Sequence, residues 1–433
     1  MRLPLALFLY RGFTRLAAPL FPLLLNHRAS KGKEDPARRN ERLGRPNETR
    51  PDGELVWLHG ASIGESLVLA TLVDELGGLR PELNFIVTTG TTTSADLMAK
   101  RLPSNARHQY IPIDTPKAVA GFLDHWKPTL AVFAESELWP NLILETSRRS
   151  IPMALVNARM NDKSLANWRT KRPDTARFLF SCFDWIGTAD LRTQDGLEEI
   201  MGEIVTFAGN LKLEARAVDA DPHTLSQARV DTSGRHVWLA ASTHDGEEEI
   251  ILKAHGLLLE KHPLALLVLA PRHPERAKSI GALIKRKKFG YALRSANQLP
   301  HTSDQVWLAD TLGEMPLWFS LAPAALIAGS LKKNIGGHNP IEANQAGAAV
   351  ICGPYHASFQ DLFDAYRTHQ AALFVDDAAT LAAAVEAIWT GKGPKQENAR
   401  AAIAEASGGA LQTTLNALIS LLPSDEDEPE TEQ

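Results

Sequence analysis

Residues 324–353 narrow the choice of fold more than any other part of the chain. Two short apolar runs, 325–328 and 348–352, flank Gly336-Gly337-His338-Asn339-Pro340-Ile341-Glu342. Four or five apolar residues bounded by turn formers are what a buried parallel strand looks like, because both of its faces are covered. The glycines suit a backbone that a ligand approaches closely, and Pro340 suits the first turn of a helix. Free N–H groups at that helix start, with the positive end of its dipole, make a site for an anion such as phosphate. Glu342, about one turn in, stands where a carboxylate accepts from ribose hydroxyls. A plain strand-to-helix turn would use the same glycines, but Asn339 and Glu342 at fixed spacing beside the loop favour a ligand site.

The same unit recurs. Residues 55–58, 84–88, 129–134, 153–157, 185–188 and 205–208 read as strands that alternate with helical segments such as 64–76, 117–126 and 140–149. A polar stretch at 214–235 interrupts the pattern, which restarts at 236–241 and 264–270. Alternation of this kind predicts parallel sheets covered by helices. A chain of 433 residues also exceeds one ordinary core. The expected order is an apolar and basic segment 1–50, an α/β domain 51–215, a linker 216–234, a second α/β domain 235–395, a helical segment 396–422 and an acidic tail 423–433.

Composition excludes several classes. A net charge of −5 gives no case for bulk nucleic-acid binding, and 44% hydrophobic with 22% charged residues is ordinary for a soluble globular protein. Cys182 and Cys352 lie far apart in apolar contexts, which argues against a structural disulfide and for a reducing compartment. His244, His273 and His338 have no ligand partners at metal-site spacing, so no metal is expected.

Residues 3–25 are dominated by Leu, Phe, Ala and Pro but broken by Arg11 and Arg15, too interrupted for a spanning helix. Arg28, Lys31, Lys33, Arg38, Arg39, Arg42 and Arg45 follow. An apolar face with a basic flank describes an anchor lying in the cytoplasmic leaflet, and an amphipathic helix packed on the protein fits equally.

In open parallel sheets ligands bind beyond the carboxyl ends of strands, and the odd polar clusters lie there. The first strand leads into His59-Gly60-Ala61-Ser62-Ile63-Gly64-Glu65. Glu65 is a helix-start residue or a general base. Gly60 to Gly64 also matches the G-x-S-x-G nucleophile elbow, with Ser62 as nucleophile of a hydrolase. Its position after the first strand, without a preceding glycine-rich segment, argues against that. Glu135-Ser136-Glu137-Leu138-Trp139-Pro140-Asn141 places two carboxylates at one strand end, where a helix cap accounts for one only. Asn157-Ala158-Arg159 and Gly209-Asn210-Leu211-Lys212 follow later strands, and Lys212 suits a phosphate or carboxylate. In the second half stand Ser242-Thr243-His244, Pro271-Arg272-His273 and Leu312-Gly313-Glu314. Arg272 has the fork that grips such anions.

Taken in order, with Glu41-Arg42-Leu43-Gly44 and Gly329-Ser330 added, these pieces resemble the 3-deoxy-D-manno-octulosonic acid (Kdo) transferases of Gram-negative lipopolysaccharide synthesis. The resemblance implies a GT-B fold, two Rossmann-like domains facing across a cleft, with an N-terminal membrane-associating helix. It implies inverting, metal-independent transfer of Kdo from the donor CMP-Kdo, with no cofactor, to a lipid A precursor at the inner membrane. By the same resemblance Glu65 is the proton acceptor, and Glu135 and Lys212 stabilise the transition state. Pro271, Arg272, Leu312, Gly313, Glu314, Asn339 and Glu342 match CMP-binding positions, beside the anion site at Gly336 and Gly337. A Ser62 hydrolase and a non-catalytic two-domain nucleotide or sugar binder are the alternatives.

Overall fold

The computed structural model describes residues 3–423; the acidic tail lies outside them. The chain divides into two compact units, one formed by residues up to Ala215 with those from Ser407 onward, the other by Arg216–Ala406. Unit 1 holds β1 (Leu55–His59), β2 (Asn84–Thr89), β3 (Ala106–Tyr110), β4 (Leu130–Ala134), β5 (Met153–Ala158), β6 (Trp185–Thr188) and β7 (Thr206–Phe207). They form one sheet in the order β3-β2-β1-β4-β5-β6-β7, every pairing parallel. Unit 2 holds β8 (Val237–Thr243), β9 (Leu266–Pro271), β10 (Gly290–Leu293), β11 (Asp304–Leu308), β12 (Ala324–Ile327), β13 (Ala349–Cys352) and β14 (Ala372–Phe374). Their order is β10-β11-β9-β8-β12-β13-β14, again all parallel.

The central strands are buried along their length, as their unbroken apolar runs require. On one face of the first sheet Trp57 packs on Phe122 and Phe133, with ring centroids 4.9 and 5.1 Å apart. On the other, Leu415 and Leu418 of the helix Ala410–Ser420 join the cluster around Val56, Leu58 and Val132. Just before that helix the chain packs on Gly209, whose φ of +94° places a notional Cβ 2.0 Å from the Ser407 carbonyl oxygen, so only glycine fits. The stretch expected to be a linker carries a helix of unit 2, Pro222–Asp231, capped by Asp221 through a 2.8 Å bond from the Thr224 N–H.

Strand order reverses twice. In unit 1 the chain leaves β1 toward β2 and β3, then returns to the other side of β1 at β4; in unit 2 it does the same between β8 and β12. Neighbouring strands whose connections depart in opposite directions leave a crevice at their carboxyl ends.

The N-terminal helix Leu5–Ala17 is attached to unit 1 by its polar side. Tyr10 donates to Asp114 (2.9 Å), Asn141 Nδ2 donates to Thr14 (3.1 Å) and Arg11 pairs with Glu145. Leu7 enters the core, while Leu5, Phe8, Leu9, Phe13 and Leu16 face outward. The helix is thus packed on the protein through one face and carries exposed apolar side chains on the other. No helix among the described residues is long and apolar enough to cross a membrane.

The basic cluster that follows is not a uniform cationic flank. Arg28 and Arg42 pair with Glu34 (2.8 and 3.3 Å), and Arg38 forks onto Glu41 (2.8 and 2.9 Å). Glu41 in turn accepts from the Tyr110 N–H at 2.8 Å, which clamps the segment to β3. Lys31, Lys33 and Arg45 remain exposed.

Asp114 is the joint between this helix and the sheet. Its carboxylate accepts from Tyr10 and from the Asn141 and Leu142 N–H groups (3.1 and 2.9 Å), capping the helix Pro140–Ser147 from a different loop. Burial pushes its carboxyl up, against those hydrogen bonds, so its satisfaction matters. Asp114→Ala is expected to cost about 2 kcal/mol, lowering the melting temperature of unit 1 by roughly 4–8 °C in calorimetry.

Candidate active site

Beyond β1 the backbone turns at Gly60, where a notional Cβ would meet the Glu65 Cβ at 2.9 Å. This absence of a side chain lets the helix Ile63–Leu79 fold its first turn back over the strand end. Ser62 is the N-cap, accepting from the Glu65 N–H at 3.3 Å and donating its hydroxyl to Glu65 Oε1 at 2.5 Å. Glu65 Oε2 accepts from the Ala61 N–H at 2.7 Å. The buried carboxylate is thus held by two donors at the positive end of a helix.

Next to this loop, after β4, stands Glu135 with φ +58°, and Asn157 at the end of β5 has φ +52°. Left-handed conformations are costly for residues with a Cβ, on the order of 1–3 kcal/mol each, and persist where surroundings enforce them. Here Asn157 Oδ1 accepts from the Leu211 N–H (2.9 Å) and its Nδ2 lies 3.5 Å from Glu135 Oε1. That fixes the turn Leu211–Leu213, from which Lys212 reaches back to pair with Glu135. A Cβ on Gly64 would lie 3.7 Å from Lys212 Nζ and 4.0 Å from Ser62 Oγ, so the ammonium passes directly over the helix start. Glu65, Glu135 and Lys212 are therefore brought together in unit 1. Neither glutamate of the Glu135–Glu137 pair caps the helix at Pro140, contrary to the sequence expectation for one of them, because Asp114 does so. Glu137 accepts instead from Trp139 Nε1 at 2.7 Å.

In unit 2 the expected segments also end strands. Arg272 follows β9 and is exposed, its N–H bonded to the Thr243 carbonyl at 3.0 Å. Gly313 takes φ +82° with open space around it, and Leu312 is 79% exposed, which leaves this loop's backbone accessible. The Glu314 carboxylate is committed to Arg294 (2.6 and 3.0 Å), and those bonds hold it below the usual carboxylate range.

The glycine loop differs from expectation at Pro340, and its glycines pack against protein. Gly336 and Gly337 have φ of +95° and +79°, but their notional Cβ atoms would strike Ser358 Oγ at 2.4 Å and His356 Cα at 3.1 Å. They permit close internal packing and a left-handed backbone. Pro340 caps the short helix Ile341–Gln345 instead of occupying its first turn, and Asn339 Oδ1 accepts from the Ile341 N–H at 3.1 Å. Glu342 keeps solvent access although protein surrounds it on several sides, and that enclosure raises its carboxyl. It has no side-chain hydrogen bond or ion pair among the described residues, so both oxygens are free to accept.

The family model for 3-deoxy-D-manno-octulosonic-acid transferase (kdotransferase) matches residues 37–215. The chain is 32% identical over 423 residues to the 3-deoxy-D-manno-octulosonic acid transferase of Haemophilus influenzae, covering 95% of this chain and 97% of that one. The chain belongs to that family. The corresponding transferase of Rickettsia bellii is 35% identical over 346 residues, 80% of this chain and 82% of its own. Among solved structures, a glycosyltransferase from Rickettsia africae superposes with a TM-score of 0.52 at 12% identity, over 86% of this chain and 99% of that one. The UDP-GlcNAc 2-epimerase of Neisseria meningitidis, bound to UDP-GlcNAc, does so at 0.52 and 14% identity, over 85% and 100%. Both share the fold, two Rossmann-like domains of the GT-B class.

Membership and geometry together dispose of the hydrolase alternative. Ser62 has an unstrained φ of −100° and donates a hydrogen bond to Glu65, while the ring of His59 is turned to Thr88. A serine bonded to a carboxylate, with no imidazole to take its proton, is a cap and not a nucleophile.

Sequence reasoning did not anticipate the contact between two of its histidines, nor the role of Glu247, in this transferase. His244, just after β8, and His338 of the glycine loop meet Nε2 to Nε2 at 2.8 Å, so one imidazole donates to the other. Burial lowers both, His338 to about 4, with His244 and Arg272 adding to it. Glu247, wholly buried, accepts from the His244 and Gly329 N–H groups (2.9 Å each) and from Leu331 (3.0 Å). Nothing in its run of three glutamates singles it out. Glu247→Gln, which turns an N–H toward these donors, is expected to accelerate amide exchange at Gly329 and Leu331 by tenfold or more, read by hydrogen-exchange NMR.

Proposed function

We propose that the chain transfers Kdo from CMP-Kdo to a sugar hydroxyl of a lipid A precursor, with inversion and without a metal. The observation that carries this reading is the Glu65 carboxylate, fixed by Ala61 and Ser62 beside the Lys212–Glu135 pair. Glu65 takes the proton of the acceptor hydroxyl as its oxygen bonds to the anomeric carbon of Kdo. The bond from that carbon to the phosphate oxygen breaks, and CMP leaves with the bonding electrons. Charge on the sugar in the oxocarbenium-like transition state is opposed by the negative Glu135. Lys212 offsets the negative charge of donor carboxylate or phosphate, and Arg272 meets the phosphate as a bidentate fork. Glu342 accepts from the ribose hydroxyls, and the accessible backbone of residues 312–314 reads the base.

This chemistry asks for a base, cations and a nucleotide site. Among the described residues no cluster of three or more His, Cys, Asp or Glu forms a metal site. The test is transfer from freshly generated CMP-Kdo to a tetra-acylated lipid A precursor with EDTA present, products counted by mass. Wild type forms product, and Glu65→Gln lowers the rate by about 10²–10⁴-fold. No product from folded wild type in lipid overturns the assignment. Equal rates remove Glu65 as the base, and dependence on added metal removes the metal-free route.

The acceptor's location is read from the N-terminal helix, and we place the protein on the cytoplasmic face of the inner membrane. Phe13 and Leu16 are 69% and 82% exposed, on the face away from Tyr10, Thr14 and Arg11. Burying such side chains in lipid contributes about 1.5–3 kcal/mol each. Phe13→Asp with Leu16→Asp is expected to lower partition onto vesicles by a hundredfold or more in flotation assays, with an unchanged melting temperature. Undiminished flotation sinks the membrane reading.

A further inference from the structure

The two histidines that meet in unit 2 have no role in the chemistry above. Their ring centroids are 5.1 Å apart and their planes lie within 12°, with the Nε2 atoms 2.8 Å apart. That centroid separation is the greatest such a contact allows, so the rings meet end-on and one hydrogen lies between the two nitrogens. Glu247 fixes this geometry from behind. It accepts from the His244 N–H and from Gly329 and Leu331, which open the loop that carries His338. Gly337, next to His338, donates to the Gly329 carbonyl at 2.9 Å. Both rings are half-buried, and among the described residues neither Nδ1 is hydrogen-bonded or sealed from solvent.

An end-on imidazole pair can pass a proton along without storing charge. In the neutral pair one ring carries Nε2–H and an Nδ1 lone pair, while the other accepts at Nε2 and carries Nδ1–H. The surroundings favour that neutral form. Burial lowers both rings; Arg276 and His273 add to this at His244 against Glu247 and Glu248, and Arg272 adds to it at His338. Neither carboxylate competes for the proton, because Glu248 is committed to Arg276 (2.7 and 3.2 Å) and Glu247 to main-chain N–H groups. Lys332, laid against Gly246, brings only positive charge. The reaction read above supplies a destination. When the bond to the anomeric carbon breaks, the phosphate passes from a singly charged diester to a doubly charged monoester, whose second pKa is about 6. Arg272, given to that phosphate, bonds through its N–H to the carbonyl of Thr243, beside His244, at 3.0 Å. We propose that His244 and His338 relay a proton to the departing CMP. His338, which adjoins Asn339, gives its Nδ1 proton to the phosphate oxygen as that oxygen takes the bonding electrons. The Nε2 proton of His244 moves across to His338, and His244 Nδ1 takes one from water, so both rings end neutral with their tautomers exchanged. CMP is formed as the monoanion, while Glu65 separately takes the proton of the acceptor hydroxyl. This rests on the transferase reading and adds an acid to its base.

The experiment is calorimetric titration with CMP near neutral pH, in buffers of different ionisation enthalpy, which counts the protons taken up on binding. It is paired with steady-state transfer from CMP-Kdo at saturating acceptor. Free CMP is largely a dianion there and the bound form is the monoanion, so wild type is expected to take up about one proton. His244→Gln still donates to His338 Nε2 but cannot relay. It is expected to abolish the uptake and lower kcat by about 10²-fold, with the donor KM and the melting temperature little changed. His338→Asn, which removes the ring on the phosphate side, gives the same result and decides the matter if His244→Gln fails to fold. No uptake by wild type overturns the relay while the transferase reading stands. So does uptake that persists in both variants, which assigns the proton to another group such as Glu342, and so does a loss confined to donor KM. Absence of transfer by wild type, whatever the proton count, overturns the reading on which the relay rests.

Discussion

A parallel sheet covered on both faces leaves polar side chains one place to act, the edge where its strands end. Every strand at the centre of either sheet is buried, so charged groups there would lose their hydration with nothing to replace it. The reversal of strand order at β1 and β4, and again at β8 and β12, opens that edge between two diverging connections. Glu65 and Glu135 follow one such pair of strands; His244 and the glycine loop follow the other. Position in the topology thus selects which residues can meet, before any particular chemistry is considered.

Meeting is not enough, and both units hold their edges in conformations the chain resists. Glu135, Asn157 and Ser242 all take positive φ at or beside a strand end. The strain is balanced locally: the Glu135 N–H donates to the Val156 carbonyl at 2.9 Å while its side chain pairs with Lys212. Buried carboxylates do the same work from behind. Asp114 and Glu247 are each encircled by donors, largely main-chain N–H groups, and each fixes a loop that carries or abuts site residues. Several N–H donors converging on one carboxylate tie together the backbone segments that carry them.

Much of this was legible in the chain because apolar period and turn chemistry are local. Short apolar runs separated by helical segments gave the parallel sheets and placed Glu65, Glu135 and Lys212 at strand ends. Pairing was not legible, because it depends on which ends become neighbours. That Glu135 would answer to Lys212, that Asp114 would cap a helix begun by Pro140, and that Arg28 and Arg42 would share Glu34 are products of tertiary placement. The glycines at 336 and 337 are ambiguous for a related reason. A glycine marks a place without room for Cβ or a backbone with positive φ, and the sequence does not say whether protein or ligand occupies the room. Here Ser358 and His356 occupy it.

The N-terminal helix inverts the usual amphipathic rule, in which apolar residues face the protein and polar ones face water. Tyr10, Arg11 and Thr14 turn inward to bond with Asp114, Glu145 and Asn141, leaving Leu5, Phe8, Leu9, Phe13 and Leu16 outside. In water alone that orientation is the poorer one, since it leaves the apolar stripe hydrated. It is the better one when a lipid surface supplies the second apolar phase. The polar anchoring then has a purpose, because hydrogen bonds to a rigid loop set the helix direction more sharply than apolar contact does. Since Asp114 also caps the helix that follows the Glu135–Glu137 segment, the exposed apolar stripe and the strand-end edge of unit 1 are referred to the same carboxylate. On the membrane-bound orientation proposed above, an amphiphile lying in the bilayer would meet that edge at a height set by the protein rather than by chance.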